Sequence, residues 1–183
     1  LGFYAKRWNV TIKKLEDIYD LNDSIFLSLE FDRIIKPDLF KSKNLFNIHF
    51  SLLPAYKGMY TSALPILNGE DKSGVTLHRI DSGIDTGEII AQTEIKINYK
   101  DTARDLYIKY IDFGTKLVLK HLSSLIDNSF DFRVQSNDNS TYFGKKSIDY
   151  NNLKINFFQT AFQISNQLRG YNFREFQLPK FNN

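Results

Sequence analysis

The sequence predicts an α/β domain followed by a small α+β appendage containing a hairpin. Three observations predict it. As far as Ser124, short apolar runs of strand length alternate with helical patterns. Beyond Thr102, apolar residues recur at spacings of three and four, the mark of a helix laid against a sheet. Residues 127–139 are then polar and turn-rich, which divides a domain at 1–126 from a segment at 127–183.

Taken in order, residues 25–29, 45–49, 74–80 and 88–97 read as strands, rich in Ile, Leu, Phe, Val and Thr. In the second, period-two alternation puts Asn47 and His49 on one face and Ile48 on the other. Pro54 ends that run because it cannot donate to a ladder. Gly58 permits a turn into residues 59–67. The loop at 81–87 holds two carboxylates and two glycines, and Gly83 and Gly87 are expected at positive φ. Thr102 with Asp105 is an acidic variant of the capping box, after which Leu106, Tyr110, Phe113, Leu117 and His121 form one core-facing stripe. A second helix is expected over 158–168, with Phe158, Ala161, Phe162, Ser165 and Leu168 on one side, and a hairpin over 142–150 around Gly144.

Composition narrows the function. At 183 residues the chain is one domain, or one with an appendage. Its 24 basic and 21 acidic side chains leave a net charge of only +3, where nucleic-acid binders usually show a clustered basic face, so no nucleic acid is expected as partner. With no cysteine there is no disulfide, thiolate nucleophile or iron–sulfur site. No apolar run approaches the ~18 residues of a membrane span, so no membrane partner is expected.

The chemistry lies between residues 45 and 87. An amide and an imidazole at a strand's C-terminal end stand where open α/β sheets place ligands. Asp85 reaches His49 if the two strand ends are neighbours. Asn47, His49 and Asp85 converging in a crevice suit acyl transfer: the amide donates to a developing oxyanion, the imidazole moves a proton, and the carboxylate tunes it. A neighbouring carboxylate is expected to raise the imidazole pKa. His78 and His121 have no partner set and read as structural. His49, His78 and Asp85 lack the helical spacing of common metal sites, so no metal is expected.

Asn47-Ile48-His49-Phe50-Ser51-Leu52-Leu53-Pro54, followed by Asp81-Ser82-Gly83-Ile84-Asp85-Thr86-Gly87, resembles the signature of the folate-dependent formyltransferases. The likeness covers about residues 25–124. It implies a Rossmann-like N-terminal domain, N10-formyltetrahydrofolate as formyl donor, and Asn47, His49 and Asp85 as the catalytic trio. It also implies that the pterin lies against Arg33, Ile34 and Ile35 and the loop of Asp81, Ser82, Gly83, Ile84 and Asp85. Residues 28–37, 56–62, 102–107 and 173–179 resemble the sugar N-formyltransferase branch. That branch implies a nucleotide-linked amino sugar as acceptor, with dTDP-4-amino-4,6-dideoxyglucose expected, in cytoplasmic O-antigen synthesis by a homodimer.

Lys57 and Tyr60 follow the catalytic strand and are candidates for the hexose or its phosphates. Arg169 and Arg174 suit a pyrophosphate, since a guanidinium fork matches phosphate oxygens, and Tyr171 suits the base. A methionyl-tRNA enzyme calls for a larger C-terminal barrel and a basic surface, which the short stretch after Ser124 and the small charge argue against. The alternatives are a methionyl-tRNA or other small-amine formyltransferase, a formyltetrahydrofolate hydrolase, or a catalytically silent sugar-nucleotide binder. The family begins with a strand and helix ahead of residues 25–29, which residues 1–21 are too short to supply, so the N-terminal part is expected to be incomplete.

Overall fold

The computed structural model describes residues 2–173. Its strands are β1 (Phe26–Leu29), β2 (Leu45–His49), β3 (Lys57–Gly58), β4 (Lys72–Arg79), β5 (Ile89–Lys96) and β6 (Tyr142–Phe143). The helices are α1 (Gly2–Arg7), α2 (Leu64–Leu67), α3 (Ala103–Ile126) and α4 (Ala161–Gly170). The four strands expected in the first part match β1, β2, β4 and β5 to within two residues, and α3 starts after Thr102 as its cap predicts. Helices α1 and α2 and strand β3 have no counterpart in the sequence pattern, and the α/β class stands. The main sheet has the order β1-β2-β4-β5. Within it β1 runs parallel to β2, while β4 is antiparallel to both β2 and β5.

The register of β2 on β4 organises the molecule. Asn47 pairs with His78, Ile48 with Leu77 and His49 with Thr76. Directly opposed residues share a face, so the pair has one apolar side and one polar side. On the apolar side Phe46, Ile48, Val75 and Leu77 pack under Leu106, Tyr110, Leu117 and Leu125 of α3. Each such side chain contributes about 1.5–3 kcal/mol on burial. Gly114 lets α3 approach, since a Cβ there would come within 3.2 Å of Ile48. The cap of α3 is the predicted one: Thr102 accepts from the Asp105 N–H, and the Asp105 carboxylate accepts from the Thr102 N–H at 2.9 Å. Deep in this core the Tyr110 hydroxyl bonds Ser73 at 2.6 Å and donates to the Thr61 carbonyl at 2.9 Å.

The appendage departs from its pattern in two places. No hairpin forms over 142–150. Instead β6 pairs in parallel with β3, and the Lys57 and Met59 N–H groups donate to the carbonyls of Thr141 and Phe143. The second helix starts at Ala161 because Thr160 and Gln163 make a capping box there. Its inward face carries Asn166 and Gly170, which seat on α2, where a Cβ on Gly170 would meet Leu67. The side that the sequence pattern marks, Phe158, Ala161, Phe162, Ser165 and Leu168, is exposed throughout, Phe158 at 101% and Phe162 at 63%.

Candidate active site

The polar side of the β2–β4 pair is the floor of a cavity of about 520 Å³, within the usual range for small-ligand sites. Asn47 and His49 rise from β2 and His78 from β4. Because β4 is antiparallel, its C-terminal end lies beside the start of β2, with Arg79 opposite Phe46. The strand ends are therefore not neighbours as the sequence suggested. Asp85 reaches the floor because the loop after β4 folds back over the sheet.

That loop is shaped differently from its expected form. Gly83 and Gly87 do not have positive φ; Asp85 does, at 55°. The glycines are required by close approach, since a Cβ on Gly83 would run into the Thr86 hydroxyl and one on Gly87 into the Arg79 carbonyl. Asp81 closes the loop by accepting from the Gly83 N–H at 3.1 Å and the Thr86 hydroxyl at 2.7 Å. Gly58, at φ 88°, makes the predicted turn, and its N–H donates to Asp85 Oδ2 at 2.8 Å.

Around the Asp85 carboxylate the side chains converge. His49 Nδ1 lies 3.4 Å from Oδ2, an ion-pair contact longer than a good hydrogen bond. Asn47 Nδ2 lies 3.4 Å from Oδ1 and 3.1 Å from His78 Nε2. His78 Nδ1 lies 2.7 Å from the Arg79 carbonyl, which can only accept, so Nδ1 carries a proton, while Nε2 faces both Asn47 Nδ2 and, at 3.6 Å, Asp85 Oδ1. His49 Nε2 faces the Tyr56 carbonyl at 2.8 Å. Both His49 nitrogens thus face acceptors, and a proton on each is satisfied. Burial nevertheless pushes the His49 pKa down, further than Asp85 and the Tyr56 carbonyl lift it. The raised imidazole pKa expected from the sequence is corrected on this point. Burial also pushes the Asp85 carboxyl up, but His78, His49 and the Gly58 N–H together hold it below the usual carboxylate value.

The remaining sequence candidates divide. Arg33, Ile34 and Ile35 line one wall of the cavity, and Asp81, Gly83, Ile84 and Asp85 the other. Ser82 is exposed and does not line it. Among the described residues no hydrogen bond engages the backbone of Arg33, Ile34 or Ile35, so that wall presents free N–H and C=O groups suited to a heterocycle edge. Tyr60 lines the cavity while its hydroxyl donates to the Lys145 carbonyl. Lys57 is buried in β3 and is not part of the lining. Arg169 is not in the cavity either: its guanidinium donates to the Asp101 carbonyl at 2.8 Å and to Asn166 at 2.6 Å, so it ties α4 to the start of α3. Tyr171 packs in the cluster around α2, with burial raising its pKa. Arg174 lies outside the described residues.

Residues 14–122 match the sequence profile of the formyl transferase family. The chain belongs to that family. A crystal structure of an N-formyltransferase from Helicobacter canadensis, in complex with folinic acid and dTDP-3-aminofucose, superposes on all of this chain. The two are 50% identical with a TM-score of 0.96, and the match covers 67% of that protein. WlaRD, a sugar 3N-formyl transferase solved in the presence of dTDP and 5-N-formyl-THF, is 52% identical with a TM-score of 0.95 over all of this chain and 66% of its own. A methionyl-tRNA formyltransferase of Legionella pneumophila is 36% identical over 126 residues, 69% of this chain and 40% of that protein. The chain thus spans about two thirds of the two solved formyltransferases and under half of the tRNA enzyme.

Of the lining residues that the sequence does not place in the site, two bear on its geometry, His78 and Tyr142. His78, which the sequence marks as structural for want of a partner, faces Asn47 at 3.1 Å. The signal was its own strand pattern, for His78 alternates with the buried Leu77, but only the β2 register shows that it faces Asn47. Tyr142 lines the cavity from β6, in the segment whose pattern suggests a hairpin. Among the described residues no group of three or more His, Cys, Asp or Glu is arranged to hold a metal ion.

Proposed function

We propose that the protein transfers a formyl group from N10-formyltetrahydrofolate to the amine of a dTDP-linked amino sugar. The observation that carries this reading is the meeting of Asn47, His49 and Asp85 on the floor of one cavity, beside a wall of free backbone groups. The folate supplies a formyl carbon, which the neutral sugar amine attacks. Asn47 Nδ2 donates to the oxygen where charge gathers, giving up its long contact with Asp85 and keeping its bond to His78. One such donor is typically worth ~3–4 kcal/mol of barrier. His49, held below the ordinary imidazole pKa, is neutral near pH 7 and takes up the amine proton. The ionised Asp85 stabilises the resulting imidazolium. As the tetrahedral intermediate collapses, the bond between the formyl carbon and N10 breaks and tetrahydrofolate leaves, its N10 taking that proton back from His49.

Arg33, Ile34, Ile35, Asp81, Gly83 and Ile84 bind the folate in this reading, and Tyr60 stands on the sugar side; Arg174 keeps its assignment to the phosphates. The amine position follows the likeness at 50% and 52% identity to proteins that carry 3-amino sugars or formylate a 3-amine. That favours a 3-amino sugar over the dTDP-4-amino-4,6-dideoxyglucose expected from sequence. The remaining expectations go with this activity: residues 1–126 as catalytic domain, 127–183 as substrate and dimerisation segment, a homodimer, a cytoplasmic setting and a role in O-antigen synthesis.

The test incubates the purified protein with N10-formyltetrahydrofolate and either dTDP-3-aminofucose or dTDP-4-amino-4,6-dideoxyglucose, followed by mass spectrometry. The expected result is gain of one formyl group, fastest on the 3-amino sugar. Formate release without any acceptor makes the protein a hydrolase instead, and formylation of methionyl-tRNA with neither sugar modified overturns the reading.

A further inference from the structure

Gln135 belongs to the turn-rich stretch after α3 that the sequence marks as a linker. In the fold this stretch is a strap over the Asp85 loop. Arg133 and Ile89 exchange both backbone hydrogen bonds, at 2.9 and 2.8 Å, as an antiparallel pair. Two residues on from Arg133 and two back from Ile89, this antiparallel register sets Gln135 opposite Gly87. The Gln135 amide nitrogen donates to two carbonyls there, that of Asp85 at 2.9 Å and that of Gly87 at 2.7 Å. Its amide oxygen is buried and has no partner. The orientation of the amide is therefore set by its donors alone, since the reversed amide would point its oxygen at two carbonyl oxygens.

Those two carbonyls belong to the most constrained part of the site. Asp85 is a non-glycine residue in the left-handed region, a conformation that persists only where the surroundings hold it. Its carboxylate contacts His49, Asn47 and the Gly58 N–H from that one backbone setting. We propose that Gln135 is a positioning residue for the formyl transfer: its two donated hydrogen bonds lock the left-handed turn that aims Asp85 at His49. Gln135 touches neither reacting group, and it acts through Asp85. The inference rests on the catalytic reading of Asp85 given above.

The test compares Gln135→Met, which keeps the volume and removes both donors, with Gln135→Lys, which keeps donors and drops only the unused acceptor. Each is made in the wild-type and in the Asp85→Asn background. A side chain displaced by about 1 Å costs up to ~10²-fold in rate. Gln135→Met is therefore expected to lower kcat by ~10–100-fold, with KM for folate and for sugar unchanged within about twofold. Gln135→Lys is expected to stay within about threefold of wild type. In the Asp85→Asn background the Met substitution is expected to cost nothing more, because residues acting as one unit are non-additive. Wild-type kcat in Gln135→Met, an equal loss in Gln135→Lys, or a full further loss in the Asp85→Asn background each overturns the proposal. Full activity of Asp85→Asn alone sinks the catalytic reading, an outcome separable from all of these.

Discussion

The two faces of the β2–β4 pair are buried alike and built oppositely. Under α3 the residues Phe46, Ile48, Val75 and Leu77 are wholly apolar, and what holds them is the area they remove from water. On the other face His49, Thr76 and His78 are just as inaccessible, but every one of them is engaged through directed bonds. Thr76 donates to the Ser51 carbonyl at 2.6 Å and accepts from the Leu53 N–H at 3.2 Å, which fixes the turn leaving His49. The difference teaches how one short strand pair serves two ends. Period-two alternation puts the apolar packing on one side and the proposed chemistry on the other, so damage to either is expected to stay on its own side.

Exchanging the faces is the strongest way to break that comparison. His49→Asn is expected to lower turnover by ~10²–10⁴-fold, with a small change in Tm. Phe46→Ala leaves a cavity under α3 and is expected to cost ~3–5 kcal/mol of stability in urea unfolding, with turnover per folded molecule nearly intact. Similar losses of stability in both variants would dissolve the division.

A finer probe sharpens the polar side alone. In an NMR titration the His49 imidazole is expected to titrate below the ordinary ~6.5, because burial outweighs Asp85. Asp85→Asn removes a lifting charge and is expected to move the midpoint lower still. His78→Asn removes a lowering one and is expected to move it up. The sign for stability follows. The folded state releases this proton more readily than the unfolded chain, so His49's contribution is present above the unfolded value and is lost as the pH falls through the folded one. A wild-type midpoint above 6.5 contradicts this account of the site's electrostatics.

Legibility in the sequence follows the range of the interaction involved. Asn47 and His49 were readable because alternation along five residues is local, and the Thr102 cap because it spans three. His78 was not, since its role depends on which β2 residue it opposes. The Asp85 loop was readable in composition and not in conformation: its glycines mark crowding against Arg79 and Thr86, while the left-handed residue is the aspartate. In the appendage the aromatic pattern of 158–168 misleads because α4 docks on α2 through Asn166 and Gly170, small or polar residues with no apolar signature. The hairpin at 142–150 fails for a similar reason, since β3 offers Tyr142 and Phe143 a partner more than eighty residues upstream.

The most direct measurement is the kinetics of Asp85→Asn set beside its equilibrium binding of folate and sugar nucleotide. Asparagine tolerates the left-handed backbone and keeps the shape of the side chain, so only the charge is removed. Turnover lower by ~10²-fold or more, with both affinities within about twofold of wild type, is the predicted result. Turnover near wild type, with the loop in place, would contradict it.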